Sequence, residues 1–196
     1  MGTRNLTIVF MNGEYHLAQY GQWDGYPEGQ GMTCLEFLRN EMDEQEFRCA
    51  LSSMRFIDWN TNVGARILEA FNNGVPFPEF DRDTGAEILW MIQNCQTTSR
   101  YLRNDIEFAA ASLFCEWAWV IDLDKRTFEA YEGYNKTPLT PEDRFHFLVD
   151  KEETYHDSGI DEEYHAVRMV ASWSLDDLPT DEQFLAAFKS DDDDDG

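Results

Sequence analysis

The feature that most constrains this chain is a pair of short apolar runs hinged on Asn12-Gly13. Residues 6–11 read LTIVFM and residues 14–22 read EYHLAQYGQ, so one Asn-Gly dipeptide separates two strand-like segments. A two-residue turn of this kind needs φ > 0 at both positions, which Asn and Gly tolerate and β-branched residues do not. The spacing predicts an antiparallel hairpin. Tyr15, Leu17 and Gln19 fall on one face of its return strand, and His16, Ala18 and Tyr20 on the other. Whatever follows residue 22 therefore starts beside the segment that precedes the first strand.

From Gly31 the period changes. Leu35, Leu38 and Met42 recur at helical spacing in MTCLEFLRNEM, and DEQEFRCALSSM predicts a second helix with Asp43 as its N-cap. VGARILEAFNNG reads as another, closed by Asn-Gly. The prolines of VPFPEFD force an extended path. Helix resumes in DTGAEILWMIQNC, with Asp83 or Thr84 capping and Ile88, Leu89 and Ile92 turned inward. A second strand block, SLFCEWAWVIDLD, turns at DKR into TFEAYEGY, and YHAVRMVASWSL supplies a fifth strand. LPTDEQFLAAF reads as a helix capped by Thr180, with Gln183 or Glu182 near the capping-box position. The fold class expected is α+β: a mostly antiparallel sheet of about five strands packed with helices from the middle and the C-terminus. Its strands are the N-terminal hairpin, a hairpin near 113–134 and a strand near 164–175. Residues 1–189 are expected to form one domain, and 190–196, which include DDDDDG, a disordered acidic tail.

The 196 residues are 42% apolar and 14% aromatic, enough for one core and too aromatic for a disordered chain. The net charge of −24 is uneven: residues 1–100 hold 7 basic and 14 acidic side chains, residues 101–196 hold 8 and 25. That balance excludes nucleic-acid backbone binding, which needs Lys and Arg to displace counterions. It suits an acidic surface that imitates nucleic acid or docks on a basic protein partner. With no run of 18 apolar residues and no secretory h-region, the expectation is a soluble cytoplasmic protein with no membrane partner. Cys34, Cys49, Cys95 and Cys115 lack CxxC spacing, which argues against structural zinc. Cys34 stands out, because a thiol in the first turn of a helix has its pKa lowered by the helix dipole, although a packed first-turn thiol is the commoner case.

Residues 19–31, QYGQWDGYPEGQG, concentrate four glycines, a proline and three large aromatic rings at the end of the hairpin. Gly25, Gly29 and Gly31 allow backbone shapes closed to other residues, and Pro27 fixes φ beside them. Gly29 and Gly31 precede a helix, where their N–H groups can form an anion-holding nest. Trp23 and Tyr26 are candidate walls of a ligand pocket, oriented by Gln22 and Asp24. Arg4, just ahead of the first strand, is placed to pair with Asp24 as glue or as an anion clamp. His16 lies near enough in sequence to serve as an acid or base, although a half-exposed strand histidine is the commoner case.

Two other acidic groups read as structure. Asp122-Leu123-Asp124 starts like a calcium loop but lacks the glycine at its sixth position, so a hairpin turn is expected. YHDSGIDEEYH offers His156, Asp157, Asp161, Glu162, Glu163 and His165 without HExxH, which reads as a solvated loop. No metal and no cofactor is expected.

MGTRNLTIV, AQYGQWDGYPEGQG and WAWVIDLDKRTFEAY together resemble a family of uncharacterised fungal proteins with shorter bacterial and phage relatives. Those proteins share a GTR N-terminus, a WDGYP loop ending in glycine and an IDLD hairpin. The resemblance covers the first 35 residues and roughly 110–135. It implies that Gly2, Thr3, Arg4 and the loop travel together, and it transfers no catalytic residue. An N-terminal strand beside such a loop is also analogous, at the level of fold, to N-terminal-nucleophile hydrolases, in which a terminal Thr, Ser or Cys attacks an amide. This chain departs from that pattern, because loss of Met1 exposes Gly2 and reaching Thr3 needs a second cleavage. The leading expectation is a small-molecule or peptide site at the WDGYP loop. It is hydrolase-like (amide or ester) if Asp24 or Thr3 acts as the working group. The competing expectation, from another class, is a non-enzymatic acidic protein that binds a basic partner.

Overall fold

In the computed structural model, residues 2–151, 154–157 and 160–189 are described. The strands are β1 (Asn5–Met11), β2 (Glu14–Gly21), β3 (Arg55–Phe56), β4 (Tyr101–Leu102), β5 (Trp117–Asp122), β6 (Thr127–Glu132), β7 (Thr154–Asp157), β8 (Ile160–Glu163) and β9 (Arg168–Ser174). Five of them form one sheet in the order β2-β1-β5-β6-β9. The N-terminal hairpin forms as its turn chemistry requires, with φ of 55° at Asn12 and 81° at Gly13. The Asp124 carboxylate closes that turn by accepting both N–H groups at 2.8 Å.

The sheet is antiparallel except at its centre. There β1 runs parallel to β5, in register from Asn5↔Trp117 to Phe10↔Asp122. Outside it, β3 and β4 pair in parallel, and β7 and β8 form an antiparallel hairpin where a solvated loop was expected. The linking Ser158 and Gly159, and the acidic stretch 190–196, lie outside the described residues.

The helices are α1 (Met32–Glu36), α2 (Glu44–Ser52), α3 (Asn62–Asn72), α4 (Ile88–Gln93) and α5 (Asp181–Ala186). Wider π-helical turns, Pro27–Gly31 and Phe37–Glu41, extend α1 at both ends. Pro27 suits the opening position, where a missing N–H costs no helical bond. Asp43 caps α2 by accepting the Glu46 N–H at 2.9 Å. Thr180 and Gln183 complete a reciprocal capping box on α5. Two local expectations need correction. Pro78–Phe80 makes one turn of 3-10 helix inside the segment read as extended. Neither Asp83 nor Thr84 caps α4: the Thr84 hydroxyl donates to the Pro78 carbonyl, and the Asp83 carboxylate accepts from Trp23.

Both faces of the sheet are buried along β1, β5 and β6, which explains strands as continuously apolar as LTIVFM and WAWVID, whereas the edge strand β9 is largely exposed. Val9, Met11, Trp119, Ile121, Phe128 and Ala130 meet the helical segments α1, α2, α4 and α5 on one side. Leu6, Ile8, Ala118, Val120 and Tyr131 meet Ala109, Phe145 and Leu148 on the other. That second face carries a buried ion cluster. The Arg144 guanidinium donates to both oxygens of Glu129, at 2.8 and 2.9 Å, and to the Asp122 carboxylate. The hydroxyls of Tyr131 (2.7 Å) and Thr127 (2.8 Å) complete the Glu129 carboxylate. Arg144 also lies 5.4 Å from the centre of the Phe10 ring. One cation thus ties the segment after β6 to two strands, with its donors and their acceptors matched.

Candidate functional site

The loop after β2 is braced through its backbone. Gln22 N–H donates to the Arg82 carbonyl at 2.9 Å, and Gly25 N–H to the Thr3 carbonyl at 2.9 Å. The Gly25 carbonyl accepts the buried indole N–H of Trp119 at 2.9 Å, fastening the loop to the aromatic core. Asn5 Nδ2 sits 3.3 Å from both the Gly21 and Trp23 carbonyls. Gln30 links the loop to the start of α4, its Oε1 accepting the Ala86 N–H at 2.7 Å.

The glycines are fixed by close approach. A Cβ on Gly29 would stand 2.1 Å from the Asp24 carbonyl oxygen, and one on Gly31 2.7 Å from the Trp119 ring. The expected anion nest does not form. Gly29 and Gly31 N–H both point to the Tyr26 carbonyl, and Gln30 N–H to the Asp24 carbonyl at 2.7 Å. These donors close the turn, so none remains for a ligand.

The side chains contrast with this backbone. Trp23 is 46% exposed and Tyr26 39%, among the most exposed large rings in the described residues. Between them Asp24 holds a left-handed φ of 54°, a conformation that costs a non-glycine residue energy. Its carboxylate takes the Tyr26 hydroxyl at 3.2 Å, and its charge raises the pKa of that hydroxyl. The Trp23 indole N–H donates to Asp83 at 2.8 Å. The Trp23 ring lies so close to Gly2 that a Cβ there would be 2.4 Å away. Thr3 enters through its carbonyl, which anchors Gly25.

Arg4 does not join Asp24. Its guanidinium stacks 4.8 Å from the Phe114 ring centre, with Nε 4.0 Å from Glu116. The cause is the parallel pairing of β1 with β5: Asn5 faces Trp117, so the preceding Arg4 falls beside Glu116. Of the two readings of Cys34, packing holds and activation in a first turn does not. The helical segment starts at Pro27, so Cys34 is an interior position that packs with no exposure, and burial pushes its thiol up, away from reactivity. His16 lies toward the Asn-Gly end of β2, its Nε2 3.8 Å from Glu14, and does not reach the loop. Asp122 serves the hairpin turn, accepting the N–H groups of Asp124 (3.0 Å) and Lys125 (2.8 Å). Among the described residues, no three His, Cys, Asp or Glu side chains converge as a metal site would need.

One element beside the loop was not foreseen. An open cleft of about 580 Å³ borders the end of β2, with two arginines (Arg82, Arg103), two carboxylates (Asp105, Glu107), Gln22, Asn104 and the rings of Tyr20 and Phe108 as its lining. It shares Gln22 with the loop, and its far wall comes from the 103–108 segment, which the sequence does not link to residue 22. Compared with protein-family models, curated proteins and solved structures, the chain matches none.

Proposed function

We propose that the protein binds a small molecule or a short peptide at the WDGYP loop, with Trp23, Asp24 and Tyr26 as the contacting side chains. One observation carries this reading: a loop braced through the N–H groups of Gly25, Gly29, Gln30 and Gly31 holds two large rings half in water, on either side of an acid with a strained backbone. Rigid, amphipathic rings contribute contact area with little ordering cost, which is why they dominate binding surfaces. Arg4 is not part of this surface, and Gln22, Gly25, Gly29 and Gly31 shape it rather than contact the ligand through their backbones. The test is thermal-shift screening of a metabolite and short-peptide library, repeated with Asp24→Asn and Trp23→Ala. Hits that raise the unfolding temperature of the wild type and vanish in both variants support the reading. Hits indifferent to both substitutions refute it.

The hydrolytic form of this reading needs Thr3 at the N-terminus or Asp24 as the working group. Mass spectrometry of the native N-terminus decides the first: an intact Gly2 removes Thr3 as a nucleophile and leaves ligand binding untouched. A second reading, an acidic protein that docks on a basic partner, is favoured by the net charge of −24. Its signature is affinity for basic peptides that falls steeply with salt and is indifferent to Trp23→Ala.

A further inference from the structure

The acids and the donors of the cleft beside the loop are not equally occupied. Asp105 is engaged on both oxygens, by Arg103 at 2.9 Å and by the Tyr20 N–H at 3.3 Å. Glu107 pairs through Oε1 with Lys151 at 3.2 Å, and its side chain is 66% exposed, at the rim. The donors have capacity left. Arg82 has one loose ion pair, 3.8 Å to Asp83, with both side chains 63% exposed. Arg103 spends one nitrogen on Asp105. Gln22 accepts the Tyr20 hydroxyl through Oε1 at 2.7 Å, and Asn104 accepts the Ile106 N–H through Oδ1 at 3.3 Å. Among the described residues, the amide NH₂ groups of both side chains have no partner.

Two guanidiniums and two amides thus share one opening with the carboxylates of Asp105 and Glu107, in a chain with 39 acidic and 15 basic residues. Such a chain repels anions at long range, so short-range donors must do the selecting. Under the cleft, Tyr20 and Phe108 pack edge to face with centroids 5.0 Å apart, an apolar floor beside the charges. Burial raises the Tyr20 hydroxyl pKa, and the charges of Arg4 and Arg82 act against it, so a third arginine contributes to the local field.

We infer that this cleft binds the anionic group, carboxylate or phosphate, of a small molecule whose apolar part rests on Tyr20 and Phe108. Arg82 and Arg103 supply the charge, and Gln22 and Asn104 the neutral donors. The inference rests on the loop as a ligand site only in that Gln22 joins the two: the cleft would be the anion-holding half of that site, with Trp23 and Tyr26 meeting the remainder of the ligand.

The experiment is an NMR titration of the full chain with inorganic phosphate and, separately, with benzoate, at constant ionic strength. Saturable shifts are expected in the side-chain amides of Gln22 and Asn104 and in the Nε–H signals of Arg82 and Arg103. Saturation by phosphate alone assigns the cleft to phosphoryl ligands, and by benzoate alone to aromatic carboxylates; either supports the inference. Arg82→Gln should weaken binding about tenfold or more, since a charge-assisted bond is lost. Because Arg82 is exposed and loosely paired, that variant should fold as the wild type does, and Arg103→Lys serves as a second variant that keeps the positive charge beside Asp105. Absence of saturable shifts for both anions, or shifts unchanged in Arg82→Gln, overturns the inference. Trp23→Ala should leave these small-anion titrations unchanged, so failure of the cleft and failure of the loop are read out separately.

Discussion

The WDGYP loop and the Arg144 cluster are opposites built from similar side chains. In the cluster, Asp122, Glu129, Tyr131 and Arg144 are buried, and their donors and acceptors are spent on one another. In the loop, Trp23, Asp24 and Tyr26 reach water while the N–H groups of Gly25, Gly29, Gln30 and Gly31 are spent on internal bonds. Acid and ring chemistry thus appears in both places, and residue type alone does not separate a site from a brace. The separating property is what remains in water after folding: nearly nothing in the cluster, and two rings and a carboxylate at the loop.

The largest effect should come from breaking the brace. Arg144→Met leaves two buried carboxylates without their cation and should cost about 3–5 kcal/mol in urea unfolding. Asp24→Asn at the loop should stay within about 0.5 kcal/mol. Equal losses in the two variants would erase the distinction.

Acid should reach the cluster too. Burial pushes the Glu129 carboxyl up, but the hydrogen bonds and charge of Arg144, with the Tyr131 and Thr127 hydroxyls, outweigh it and hold the group below its ordinary value of 4.5. A pKa lower in the folded state contributes stability that is complete above the unfolded value and lost as pH falls through the folded one. Urea midpoints of the wild type should therefore drop on the acid side of pH 4.5, and those of Glu129→Gln, lower at neutral pH, should drop less steeply.

Within the loop the backbone should matter more than the side chains for stability. Gly29→Ala forces a Cβ against the Asp24 carbonyl and should cost about 1–3 kcal/mol by thermal or urea unfolding. Asp24→Gly relieves the left-handed φ and should leave stability unchanged or raise it by up to about 1 kcal/mol, while abolishing the library hits. A destabilised Asp24→Gly would mean that the carboxylate holds the turn, and the contrast with Arg144 would then fail.

Local chemistry was legible in the sequence. The Asn12-Gly13 turn, the Asp43 cap and the Thr180–Gln183 capping box each depend on residues within a few positions, and each is found as read. Pairings across the chain were not legible. Nothing in LTIVFM or WAWVID encodes that β1 and β5 run parallel, and the fate of Arg4 followed from that pairing. Strands β3 and β4, of two residues each, are too short to show any alternation. The loop was found because its aromatics and glycines are contiguous. The cleft was missed because Gln22, Arg82 and Arg103 come from three separate segments, and only the folded chain brings them together.

The parallel pairing at the centre of the sheet also bears on how the protein is made. Residues 12–116 separate the end of β1 from the start of β5. At roughly 5–20 residues per second, a ribosome takes on the order of 5–20 s to bridge that gap. Through that interval the finished N-terminal hairpin has one open ladder beside Leu6 and Ile8, a template for pairing with any neighbouring chain. An interior strand of the finished sheet, β1, is thus an unprotected edge during synthesis, and slow passage through residues 12–116 would lengthen that exposure.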